Sequence, residues 1–194
     1  MLAARFGERA GELGRAVERD LAALDAELAT LDRSPSPMDR RVRIAAWFLS
    51  LVRVLRDAGE SDETIRASCL ELAERMVRPR SRLESLARRA QGELAQTRVV
   101  AWGMRRMTRR LRVLGTHPDG FDVSFVERDR DHAFGFDIHR CGIRTLFARH
   151  GLGAYVPILC EVDHITSELA GLELVRTGTL ALGAEKCDFR YRRT

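Results

Sequence analysis

At 194 residues and 45% hydrophobic content the chain can bury one good core, or one core with a helical layer packed on it. Its net charge of +5 is spread over 33 basic and 28 acidic side chains, nearly all the basic ones arginine with Lys186 the only lysine, a mild and mixed balance that argues against a nucleic-acid binder. No apolar run approaches the roughly 18 residues of a membrane span, and the widely spaced Cys69, Cys141, Cys160 and Cys187, with no export signal ahead of them, read as reduced thiols or metal ligands of a cytoplasmic protein.

Residues 1–115 read as a helical scaffold region. Phe6, Ala10, Leu13, Val17, Leu21, Leu24, Leu28 and Leu31 recur every three or four positions and predict a long amphipathic helix that ends at Ser34–Pro37. Ser36 as N-cap, Pro37 at the first helical position and Asp39 in the capping-box place predict a second helix to about Gly59, whose AAWFLSLVRVL centre makes it the most buried. Ser61, Asp62 and Glu63 open a third, closed by Pro79, with Cys69 in its apolar stripe as a core thiol. A capping box at Ser81 and Glu84 starts a pattern that extends to Leu114, with Gly92 and Gly103 as weak points. Val100, Met104, Met107, Leu111 and Leu114 form its buried stripe. Its Arg98–Arg112 face reads as a solvated surface or a dock for an acidic partner.

The character changes at the Gly115–Gly120 loop, and residues 116–194 read as an α+β region forming one unit with the helices. Phe121, Val123 and Phe125 alternate with polar residues, and after a charged turn Phe134, Phe136 and Ile138 do the same, which predicts a hairpin. The strand breaks at His139 and Arg140 and delivers Cys141 to the first turn of a helix, where the helix N-terminus and Arg140 favour a thiolate of lowered pKa. A second helix begins near Tyr155 and carries Cys160, Asp163 and His164 on one face. Leu172–Leu180 and Lys186–Arg192 close the region as a hairpin around Gly183. The expected fold is therefore α+β: long N-terminal helices packed with a four-stranded antiparallel sheet in the order ββααββ. Period two puts Cys187, Phe189 and Tyr191 on one face of the last strand and Asp188, Arg190 and Arg192 on the other, so Cys187 can approach Cys141 and Cys160 if Phe189 faces the core.

Three strings in order, FDIHRC (Phe136–Cys141), CEVD (Cys160–Asp163) and LVRTGTLALGAEKCDFRYR ending in Cys187–Arg190, resemble the L-2-amino-thiazoline-4-carboxylic acid hydrolase family, whose pattern is F-x-x-x-R-C, C-x-x-D and R-T-x-T followed by C-D-F-R. The resemblance covers Phe134 to Arg193 well and the N-terminal helices only in general character. It implies ring-opening C–N hydrolysis of a small cyclic amidine or related carboxylate-bearing heterocycle, with water adding to the carbon between the ring nitrogen and sulfur. Such chemistry asks for an activated nucleophile, a proton carrier and a cation for the carboxylate. Cys141, Cys187, Asp163 and His164 are the catalytic candidates; Arg140, Arg176, Arg190 and Asp188 the substrate-binding ones. Either Cys141, Cys160 and Cys187 converge on zinc that activates water, or Cys141 attacks and the other thiols are structural; in a third reading all three are plain buried side chains. The partner expected is a small-molecule substrate. Homo-oligomerisation is open, and the competing class is a non-catalytic ligand-binding or regulatory protein on the same fold.

Overall fold

A computed structural model describes residues 5–193. The first apolar stripe forms helix α1 (Ala10–Leu28) between single 3-10 turns at Gly7–Arg9 and Leu31–Arg33, and buries Leu13, Val17, Leu24 and Leu28. Helix α2 (Arg40–Asp57) buries both sides of its cylinder, from Val42 to Leu55, and packs against α1 and against α3 (Asp62–Val77). The Ser61 hydroxyl caps α3 by accepting the Thr64 N–H. Cys69 is a core thiol, 2% exposed, and burial pushes it up to about 12.

The pattern from Ser81 to Leu114 is two helices, α4 (Arg82–Ala95) and α5 (Arg98–Leu114). Neither expected glycine breaks it. The break falls at Gln96–Thr97, because the Thr97 hydroxyl accepts the Val100 N–H and starts a new helix. Gly92 is instead a packing glycine: α4 crosses so close to the chain at Ala170, just past the helix at Val156–Leu169, that a Cβ there would strike the Ala170 carbonyl. Val100, Met104, Met107 and Leu111 face inward half-buried, while Leu114 is exposed. On the outer face Arg105 pairs with Glu127 at 2.9 Å and Arg106 lies over Trp102.

The remainder is β1 (Asp122–Val126), β2 (Phe134–Arg140), α6 (Gly142–Arg149), α7 (Val156–Leu169), β3 (Leu172–Val175) and β4 (Cys187–Arg193). The strands form one antiparallel sheet in the order β1-β2-β4-β3, and the fold is α+β. β2 does not break at His139 but runs through Arg140, and β3 stops at Val175, well short of Leu180; residues 176–186 are a loop with a 3-10 turn at Leu180–Leu182. Register sorts the inner face into rows: Val123, Ile138 and Cys187; Phe125, Phe136 and Phe189; Phe134, Tyr191 and Leu174. Helix α7 packs on β3 and α3, and α5 runs along β1.

Asp39 does not cap α2 through a capping box with Ser36. Its carboxylate, 1% exposed, turns away to accept the Phe121 N–H at 2.7 Å and the Ser34 hydroxyl at 2.5 Å. Phe121 immediately precedes β1, so this carboxylate joins the start of α2 to the start of the sheet. Gly120 is required beside it, since a Cβ there would run into the Asp39 carboxylate. Asp39→Ala strands a buried N–H and should cost about 1–3 kcal/mol, read as a lower urea midpoint with an unchanged slope; Asp39→Asn, which keeps an acceptor oxygen, should cost less.

Candidate functional site

Inner-face residues of the sheet and the facing helices enclose a cavity of about 560 Å³. Cys141 reaches it from the β2–α6 junction, Cys160 and Asp163 from successive turns of α7, Cys187 and Tyr191 from alternate positions of β4 and Arg176 from just beyond β3. Arg41, in the first turn of α2 and exposed, also borders it. The three thiols that the sequence scatters over 47 positions thus share one wall.

Asp163 is the centre of its electrostatics. The Arg176 guanidinium is only 9% exposed and splits its fork, one nitrogen to Asp163 Oδ2 at 3.0 Å and the other to the Cys160 carbonyl at 3.1 Å, while its plane lies 5.0 Å over the Phe189 ring. Burial raises the Asp163 pKa, and the charges of Arg176 and Arg41 oppose that rise without cancelling it. Tyr191, beside Ser167, feels the same surroundings: burial, then the Asp163 charge, pushes its phenol up to about 12. A carboxyl whose pKa is raised by burial and opposed by two arginine charges is the kind of group found where proton transfer is needed.

The thiols behave differently from a thiolate site. Cys141 is the N-cap residue of α6, as its position after β2 predicts, but burial pushes its thiol up to about 11. The amides of Arg144 and Ile143 favour the thiolate without closing a capping hydrogen bond, and the loss of water outweighs them. Arg140 gives no help, because its guanidinium points away and staples the preceding loop through the Thr116 hydroxyl at 2.6 Å and the carbonyls of His117 and Gly120. Burial also raises the Cys160 thiol. Thr179 stands between two sulfurs, its hydroxyl 3.8 Å from Cys160 Sγ and 3.4 Å from Cys187 Sγ, and the Leu180 N–H donates to Cys187 Sγ at 3.2 Å. Among the described residues no set of three His, Cys, Asp or Glu side chains is arranged to hold a metal ion.

Other sequence candidates lie elsewhere. Asp188 and Arg190 are on the outer face of β4, as period two allows. Asp188 accepts the Thr177 and Gly178 N–H groups and the Thr177 hydroxyl, clasping the loop after β3, and Arg190 pairs with Asp137 at 2.8 Å rather than with Asp188. His164 is exposed and borders neither this cavity nor the one adjoining it. The residues that sequence reasoning missed are Arg41, Tyr191 and Thr179. Tyr191 was on the correct face, Thr179 was inside the R-T-x-T string, and Arg41 had no signal beyond an arginine pair at a helix start.

A model of the L-2-amino-thiazoline-4-carboxylic acid hydrolase family matches residues 40–191, a span that includes every cavity residue named here. No curated protein and no solved structure matches the chain.

A thiol raised to about 11 is neutral at physiological pH. Iodoacetamide should therefore label Cys141 slowly at pH 7 and faster with each step toward pH 11, followed by peptide mass spectrometry. Rapid labelling that levels off below pH 8 would show that the helix N-terminus outweighs burial after all.

Proposed function

The chain belongs to the L-2-amino-thiazoline-4-carboxylic acid hydrolase family, and on that premise we propose that it opens a small carboxylate-bearing cyclic amidine by hydrolysis at the Asp163 cavity. The observation that carries this reading is the part-buried Asp163 carboxylate with its raised pKa, held on one oxygen by Arg176 and feeling the charge of Arg41. Ionised, Asp163 takes a proton from water as the oxygen adds to the amidine carbon. The adduct collapses by breaking a ring bond to that carbon, and Asp163 returns the proton to the departing ring atom. A free amine in the product reports C–N cleavage; a free thiol reports C–S cleavage. Arg176 orients the carboxylate, and Arg41 is the cation for the substrate's own carboxylate, since among the described residues no hydrogen bond or ion pair engages its guanidinium. The neutral Cys141 thiol favours water over sulfur as the nucleophile.

Asp163→Asn should fold and lose at least about three orders of magnitude in kcat, in the range expected for a lost acid–base group. As a base Asp163 works only when ionised, so the acidic limb of kcat/KM against pH should lie above the ordinary carboxylate value of about 3.9 and vanish in the variant. Arg41→Met should raise KM about 10- to 100-fold for a carboxylate-bearing substrate while changing kcat less. Cys141→Ala should keep turnover within about tenfold; a loss as deep as that of Asp163→Asn would make the thiol the nucleophile. Ligand binding by the wild-type protein without any turnover would point to the binding-protein alternative.

A further inference from the structure

The Asp163 cavity continues into a second lobe of about 620 Å³, and the two share Arg41, Met104, Phe136, Leu159, Asp163 and Tyr191 on their common wall. The name-giving substrate of the family, a five-membered ring with an amino group and a carboxylate, has about nine heavy atoms. Even at roughly 30 Å³ for each, the share of a water molecule in the liquid, it fills about 270 Å³. The first lobe alone is twice that size, and the second is left over.

The second lobe has a definite chemical character. Its floor is a run of aromatic rings that starts at the polar group: Tyr191 stacks on Phe134 at 4.7 Å, Phe134 meets Phe136 edge-on at 5.9 Å, and Phe136 meets Phe125 at 5.7 Å. Val162 and Leu159 on α7 and Met76 on α3 add aliphatic wall. The floor exists because register stacks the inward positions of β1, β2 and β4 side by side. An apolar surface of this kind binds an apolar group by releasing water from both. Because it opens directly onto Asp163 and Arg41, the group that reaches it is attached to the molecule those residues hold.

Resting on the hydrolase reading of the first lobe, we infer that the true substrate is an extended heterocyclic carboxylate with a bulky aryl or branched alkyl substituent, which lies on the Tyr191–Phe134–Phe136–Phe125 floor. The unsubstituted ring is then a minimal fragment of the substrate.

The test compares calorimetric binding of thiazole-4-carboxylate and 5-phenylthiazole-4-carboxylate, neither of which can be hydrolysed as an amidine, to the wild type and to Val162→Phe and Met76→Trp. Both positions border the second lobe only, and Met76 is 46% exposed, so Met76→Trp fills the lobe without disturbing the core. The phenyl compound should bind the wild type at least about tenfold tighter, and the gain should disappear in the variants while the affinity for the unsubstituted ring stays unchanged. Equal affinity of the two compounds, a gain kept in both variants, or no binding of either compound overturns the inference. Turnover of 2-amino-thiazoline-4-carboxylate and of its 5-phenyl derivative on the same preparations separates the two readings: no turnover of either with the preference kept refutes the hydrolase alone, and turnover without the preference refutes the second-lobe assignment alone.

Discussion

The hydrogen bond from the Phe121 N–H to the buried Asp39 carboxylate sets the relation between the two halves of the molecule. A carboxylate at 1% exposure is tolerated only when its oxygens are engaged, and here they are engaged from two directions, by the chain leading into the sheet and by Ser34 in the turn before α2. The geometry leaves little slack. Gly120 must lack a Cβ, and the loop around it is stapled from behind by Arg140. Arg41 lies two residues after Asp39 and Val123 two residues after Phe121, so the contact that locks α2 to β1 also sets a cation across from the cavity floor.

Within the cavity, the balance of charge decides which groups do chemistry. One part-buried carboxylate feels two arginines, and only one of them grips it. An anion entering between Asp163 and Arg41 would therefore meet net positive charge, with Arg176 largely shielded from water and Arg41 exposed. Burial pushes the carboxyl and the Cys141 and Cys160 thiols in the same direction, toward their protonated forms, but with different consequences. A carboxyl raised from an acidic starting point becomes more useful as a proton carrier, whereas a thiol raised from an already high one becomes inert at neutral pH.

The strings that carry the family resemblance turn out to be a set of mutual supports around this cavity. In R-T-x-T, Arg176 holds Asp163, Thr177 is clasped by Asp188, and Thr179 stands between Cys160 and Cys187. In C-D-F-R, Cys187 and Phe189 face inward, Phe189 carrying the Arg176 plane, while Asp188 secures the loop and Arg190 closes on Asp137 across the outer face. Burial pushes the Asp137 carboxyl up, but Lys186 and Arg190 outweigh it and hold the group below the usual carboxylate range. Four residues of one strand thus serve two layers, and the alternation of the strand divides the work between them.

Periodicity and punctuation in the sequence were enough to determine the order of the strands and of most helices, the antiparallel α+β class and the core position of Cys69, and three motif strings pointed to the family; which face of β4 turns inward was left open. These follow from local rules, because spacing of apolar residues and capping side chains act over a few positions. The exact break at Thr97, the reach of Asp39 to Phe121, the pairing of Arg190 with Asp137 and the meeting of Asp163 with Arg176 and Arg41 were decided only by the tertiary structure. Each joins groups far apart in the chain, and a side chain's partner there depends on which backbone passes closest. The Cys141 thiol shows the same division most clearly. Its place at a helix start was legible from neighbouring residues, but its protonation state depends on how much water the whole fold leaves around it, and that quantity is not written in any local stretch of sequence.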